Sequence, residues 1–324
     1  MKVTADVADR FNMNFGSDPY WNESSWFSWG IPEKGVNGLF YHFFRPNMNC
    51  LNGGPAMWDG SGVYTWDCLY WDWQYMRQLP EGRYGVDYNK YDYEAPCSMS
   101  VRTLEPLKRY QLGYDRNGFR LDLTFEAIAE PHSLHDHEEG KLNTAYRFHF
   151  EQPGRMRGKI QLRGETHEVD CFSIRDGSHG HRFWGDVPPG GYTWSTADER
   201  NGWHFIAVDN ADSRETKLIG GYLLRDGEMA TLTKGVRRVT ERIGTWPSFI
   251  EVEAEDRLGR RLEASGRLTV PGEFHYYSDQ VQTWGQFAWS YDGFKDVVGE
   301  DQEYYNTVDM RAWKRGGPDR WRTR

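Results

Sequence analysis

With 324 residues the chain is long enough for two cores of ordinary size, and its 15 Trp, 19 Tyr and 17 Phe carry apolar surface on rings that favour strands and can line a ligand cavity. A formal net charge of −9 argues against a nucleic-acid partner, which is normally met by a basic face. The opening M-K-V-T-A-D-V-A-D-R lacks an apolar signal core and no apolar run approaches the ~20 residues of a membrane helix, so a soluble, cytoplasmic protein without a transmembrane segment is expected.

In chain order, W-N-E-S-S-W-F-S-W-G-I-P (21–32) and L-F-Y-H-F-F-R-P (39–46) read as two strands of a hairpin around the turn-rich E-K-G-V-N-G. Residues 63–79 fit a helical face and strand alternation equally well, and their aromatic content favours strand. From residue 98 two alternating runs flank D-R-N-G (115–118), the strongest short-range hairpin cue available. A polar loop at 131–140 then leads to A-Y-R-F-H-F-E-Q-P, M-R-G-K-I-Q-L-R-G and E-V-D-C-F-S-I-R-D, three consecutive predicted strands. After V-P-P-G-G (187–191), short strands recur at regular spacing with turn residues between them, which predicts an antiparallel sandwich or barrel. The expected organisation is all-β, with one domain over 1–187 and a second over 188–324. The cysteines (Cys50, Cys68, Cys97, Cys171) show no C-x-x-C spacing and read as reduced thiols.

Functional residues concentrate in 168–185, E-V-D-C-F-S-I-R-D-G-S-H-G-H-R-F-W-G, read as a strand ending in a glycine-broken corner. Phe172, Ile174 and Asp176 share one face of the strand; Val169, Cys171, Ser173 and Arg175 share the other. If the Phe172/Ile174 face is the buried one, Asp176 ends an apolar wall, where desolvation raises its pKa and makes it a usable general acid. Asp176 and His179 then form an acid–base pair, with Arg182 polarising an oxygen or holding the carboxylate and His181 beside them; the ordinary alternative is a capped turn with exposed histidines. His149 and Tyr146 lie on opposite faces of the preceding strand as secondary candidates. Trp184, Phe172, Trp284 and Trp289 are the aromatic candidates for lining a substrate site. His132, His135, His137, Glu138 and Glu139 have ligand chemistry, but a polar loop favours a solvated role over a metal site. No G-x-S-x-G, H-E-x-x-H or phosphate-loop pattern occurs, so neither cofactor nor metal is expected.

The run Y-R-F-H-F-E-Q-P-G-R-M-R-G-K-I-Q-L-R-G-E-T-H-E-V-D-C-F-S-I-R-D-G-S-H-G resembles the end of the first domain in the carotenoid hydratase (hydroxyneurosporene synthase) and AttH-like superfamily, with its D-x-x-W-G corner. A weaker likeness continues in Q-F-A-W-S-Y-D-G-F-K-D-V-V-G-E-D-Q-E-Y, so that about half the chain is covered. The resemblance implies two lipocalin-like barrels packed together, and a superfamily of hydratases and cyclases of the Diels–Alderase type. It carries over to Asp176 the role of protonating an isolated C=C bond, whereas the motif's Trp is replaced here by His179. The implied function is a cofactor-independent lyase or isomerase acting on a hydrophobic terpenoid- or polyketide-like molecule; a homodimer is allowed for. The alternative is a lipocalin-like carrier that binds such a molecule without chemistry.

Overall fold

The computed structural model describes residues 2–11, 16–79, 92–95, 98–134, 148–183, 189–209, 215–277 and 279–316. It is an all-β protein with lipocalin-like architecture, and the chain divides into two compact units. Unit 1 contains residues 1–57, 69–135 and 142–182; unit 2 contains 58–68, 136–141 and 183–324. No helix among the described residues is long and apolar enough to cross a membrane.

The first sheet is built from β1 (Trp21–Ile31), β2 (Val36–Arg45), β3 (Cys50–Trp58), β4 (Tyr70–Trp71), β5 (Gln74–Gln78), β6 (Tyr93–Glu94), β7 (Ser100–Glu105), β8 (Arg109–Arg116), β9 (Phe119–Ala127), β10 (His132–Ser133), β11 (Phe148–Leu162) and β12 (Glu165–His181). Its strand order is β4-β3-β2-β1-β12-β11-β9-β8-β7-β6, with β5 beside β3 and β10 beside β11. The β8–β9 hairpin turns on Asn117 and Gly118, both at positive φ (52° and 75°), as a tight primed turn requires. The 63–79 region supplies only β4 and β5, and Trp66 is 78% exposed.

Two predicted strands merge, because β11 runs unbroken through Pro153. Its flank changes partner there: β9 pairs from Gly154 onward, whereas β10 pairs at Phe150 and Glu151. The missing proline donor therefore falls in the gap between two ladders, where it costs no sheet hydrogen bond. The core of unit 1 is aromatic, and Phe27, Phe40, Tyr110, Phe125 and Met156 are fully enclosed.

In unit 2, β13 (Gly190–Asp198), β14 (Asn201–Asp209), β15 (Glu215–Arg225), β16 (Glu228–Ile243), β17 (Trp246–Asp256), β18 (Arg261–Val270), β19 (Glu273–Tyr277), β20 (Gln280–Tyr291) and β21 (Phe294–Asn306) form the second sheet. The β13–β21 and β18–β20 pairings close eight of these strands into a barrel. A barrel of this size is just wide enough for side chains to fill. Part of the interior holds Trp203, Phe205, Leu223, Ile250, Phe287 and Trp289, with Trp203 and Trp289 edge to face at 5.0 Å. Another part holds charge: buried Arg237 donates to Asp301 at 2.7 and 2.8 Å and to Glu303 at 2.9 Å.

Candidate active site

The site begins with the register of β12. It pairs with β11 on one side and β1 on the other, setting Asp176 opposite Glu151 and opposite Trp26. Extending that row outward adds His132 on β10 and Tyr41 on β2. Cross-strand partners project on the same face, so His132, Glu151, Asp176, Trp26 and Tyr41 stand side by side across five strands. His149 joins them two residues from Glu151 on β11.

Sequence reasoning expects one face of β12 to be buried; the Val169/Arg175 face is, and the other is buried at Ile174 and half-buried at Phe172 and Asp176. Val169 and Cys171 enter the apolar core, and Arg175 on the same face is fully enclosed. Arg175 is satisfied there by Gln152 Oε1 at 2.7 Å and Tyr110 Oη at 2.8 Å, with its guanidinium 4.0 Å above the Tyr110 ring. On the other face Ile174 is fully buried and Asp176 partly so, with its Oδ1 atom enclosed and without a hydrogen-bond partner. Burial pushes the Asp176 carboxyl up to about 7; Glu151 adds repulsion, while His149, Arg182 and the Trp26 backbone oppose the rise.

His149 Nε2 is hydrogen-bonded to Glu151 Oε1, both residues being buried. Burial lowers the His149 pKa to about 4, against the pull of Asp176 and with help from Arg182, so the ring is neutral at physiological pH. His149, Glu151 and Asp176 each offer a ligand atom within 4.8 Å of the others, so these three residues could also hold a cation. An acid carrying its proton to about pH 7 beside a neutral imidazole–carboxylate pair is, equally, an arrangement for proton transfer.

Arg182 is buried as well, and donates to Ser24 Oγ at 3.2 Å and to Ser178 Oγ; the two serine hydroxyls lie 2.7 Å apart. The expected partner His179 does not meet Asp176. The strand continues to His181 rather than breaking at Gly177, so an offset of three residues places His179 on the opposite face. There it stacks on Phe148 at 5.2 Å and lines a cavity of about 30 Å³ with His42 and Glu23. His181 is exposed and its Nδ1 lies 2.8 Å from Asp18.

Phe172 shares the Asp176 face, four residues away, with Arg155 5.5 Å above its ring. Trp284 and Trp289 belong to unit 2, where Trp289 is core and Trp284 Nε1 donates to Glu300 at 2.9 Å. Tyr146 and Trp184 lie outside the described residues, as do His135, His137, Glu138, Glu139 and Cys97. His132 is a correction: it is buried on β10, not solvated in a loop. Among the described residues, Cys50, Cys68 and Cys171 are in no disulfide. Glu151 is the residue that sequence reasoning missed, although the spacing H-x-E on a strand already set it on the same face as His149.

Fold and site together define a two-unit, lipocalin-like β-protein with a half-buried aspartate whose Oδ1 is enclosed. The chain belongs to the family described as a domain of unknown function (DUF7064), whose model matches residues 6–297. No curated protein matches it in sequence. In three dimensions it is similar to an AttH-like protein from Nitrosomonas europaea, with a TM-score of 0.58 and 11% identity, covering 88% of this chain and 92% of that one. It is also similar to kievitone hydratase from Nectria haematococca (TM-score 0.53, 9% identity, 94% and 93% covered) and to CghA (0.58, 10%, 94% and 97%). These likenesses establish the fold.

Proposed function

We propose that the protein is a cofactor-independent lyase or isomerase of the hydratase, dehydratase or cyclase type, acting on a hydrophobic terpenoid- or polyketide-like molecule. The observation that carries this reading is the Asp176 carboxyl: enclosed at Oδ1, without a hydrogen-bond partner there, and with its pKa pushed up to about 7. Such an acid holds a proton at neutral pH and has a free atom to present it. The neighbouring row supplies the rest: Trp26 and Tyr41 stand on the same face as aromatic neighbours of the acid, and the His149–Glu151 pair offers a base.

In the hydration direction the Asp176 proton passes to one olefin carbon, leaving a cation on the other. Water adds to that cation, and its proton is taken by His149, held by Glu151, before returning to Asp176. The sum is olefin plus water to alcohol, and the reverse sequence is dehydration. Capture of the cation by a second olefin, followed by proton loss to the same base, gives cyclisation. The hydratase named among the structural neighbours and the carotenoid-hydratase likeness of residues 146–180 support the same class.

The test is incubation with a panel of isoprenoid and polyketide olefins in heavy water. Wild-type protein is expected to incorporate deuterium into product, and Asp176→Asn to keep the fold and lose turnover. Full activity in that variant removes Asp176 from the chemistry. A ligand recovered unchanged and stoichiometrically bound to wild type makes the protein a carrier.

A further inference from the structure

The Asp176 face of unit 1 continues along β1 and β12 to a second unsatisfied group. Asn22 is only 1% exposed, yet neither Nδ2 nor Oδ1 of its carboxamide has a hydrogen-bond partner. Burying an amide without partners is costly, so such a group in a folded protein calls for an explanation. Asn22 is four residues from Trp26 on β1 and therefore projects on the same face as the acid row. Its partner on β12 is Gly180, which places no side chain across the front of the carboxamide.

Between Asn22 and the acid lie the Ser24–Ser178 hydroxyl pair and the Arg182 guanidinium that binds both. Asp176 and Asn22 thus stand on one face of the sheet, each with an enclosed polar side-chain atom that has no hydrogen-bond partner. At the rise of an extended strand, four residues separate them by about 13 Å.

We propose that Asn22 is the head-group recognition residue of the substrate site: it binds a neutral oxygenated group, a hydroxyl alone or beside a carbonyl, on a hydrophobic molecule whose reacting carbon lies about 13 Å away at Asp176. This rests on the reading of Asp176 as the acid, and it narrows the substrate to an oxygenated, chain-like molecule of sesquiterpenoid length or more. A carboxamide both donates and accepts, so it suits a neutral group that can do both.

The experiment measures binding rather than turnover, using farnesol and its hydrocarbon counterpart farnesene as probes, by calorimetry on wild type, Asn22→Leu and Asp176→Asn. Wild type is expected to prefer farnesol by about tenfold, the worth of one well-formed hydrogen bond in an enclosed site. Asn22→Leu, close in size, is expected to erase the preference by weakening farnesol alone, with no fall in melting temperature, since it removes a buried group that had no partner in the free protein. Asp176→Asn is expected to retain the preference.

The proposal is overturned if wild type binds neither probe or does not discriminate between them. It is also overturned if Asn22→Leu still discriminates, or if that variant melts lower and loses farnesene as well, which would make Asn22 a structural residue satisfied by water. Should Asp176→Asn retain turnover in the heavy-water olefin assay while Asn22 still governs the binding preference, the acid assignment fails and the head-group site stands.

Discussion

Replacing Asp176 by Asn removes the charge that the site least tolerates while keeping the shape of the side chain, and its effect on stability depends on pH in a calculable way. The folded-state pKa is raised from 3.8 to about 7, so below the unfolded value both states are protonated and the carboxyl imposes no electrostatic cost. As pH rises through the window between the two values, the unfolded chain releases the proton first and stability is lost. Above the folded value the loss is complete, at about 3 units of 1.4 kcal/mol, or roughly 4 kcal/mol. The substituted carboxamide cannot ionise, so the variant is expected to gain on wild type by up to roughly 4 kcal/mol between about pH 4 and pH 8.5. Urea unfolding of both proteins at the two pH values measures this as a double difference, which cancels contributions from all other titrating groups that the substitution leaves alone. Parallel pH dependence, with a double difference under about 0.5 kcal/mol, would refute the claim that Asp176 is enclosed and carries its proton near neutrality.

The pH profile of turnover should follow the same groups: activity declines as pH rises through about 7, where Asp176 loses its proton, and again toward about 4, where His149 gains one, so that kcat/KM is bell-shaped between them. A profile flat through pH 7 would remove Asp176 from the rate-limiting proton transfer. In the barrel, Arg237→Met should destabilise by about 3–5 kcal/mol, because it strands the buried Asp301 and weakens the neutralisation of Glu303. Thermal unfolding of unit 2 measures it, and a loss below about 1 kcal/mol would mean that water reaches those carboxylates.

Much of the architecture was legible because its signals are local. Asn117-Gly118 specifies a turn by backbone freedom alone, and Phe119, Leu121, Leu123 and Phe125 specify by alternation which side of β9 enters the core. The continuation of β12 past Asp176 was not legible, because Gly177 and Gly180 look like turn residues. In the fold Gly177 serves close packing: a Cβ there would fall 2.5 Å from the Phe150 ring. A corner at Gly177 would set His179 beside Asp176, but parity in a continuous strand forbids it. Asp176 itself was found from its strand and its resemblance, but its true companions come from β1, β2, β10 and β11. Their arrival depends on register, which one sequence does not disclose.

That register has a kinetic side. The β1–β12 ladder joins Trp21–Phe27 to Arg175–His181, and the ladder shutting the barrel joins Gly190–Ser195 to Gly299–Tyr304. Each brings together strands from opposite ends of its unit, and ordering so long an intervening chain must precede the gain from pairing. Emerging from the ribosome, β1 would therefore meet β2 long before β12 exists, and its other edge would stand open in the interval. Once synthesised, Asp176 would remain an ordinary, solvated aspartate until the ladder closes. The proton-holding acid is a property of the completed ladder, so a partly folded chain would have the residues of the site without its chemistry.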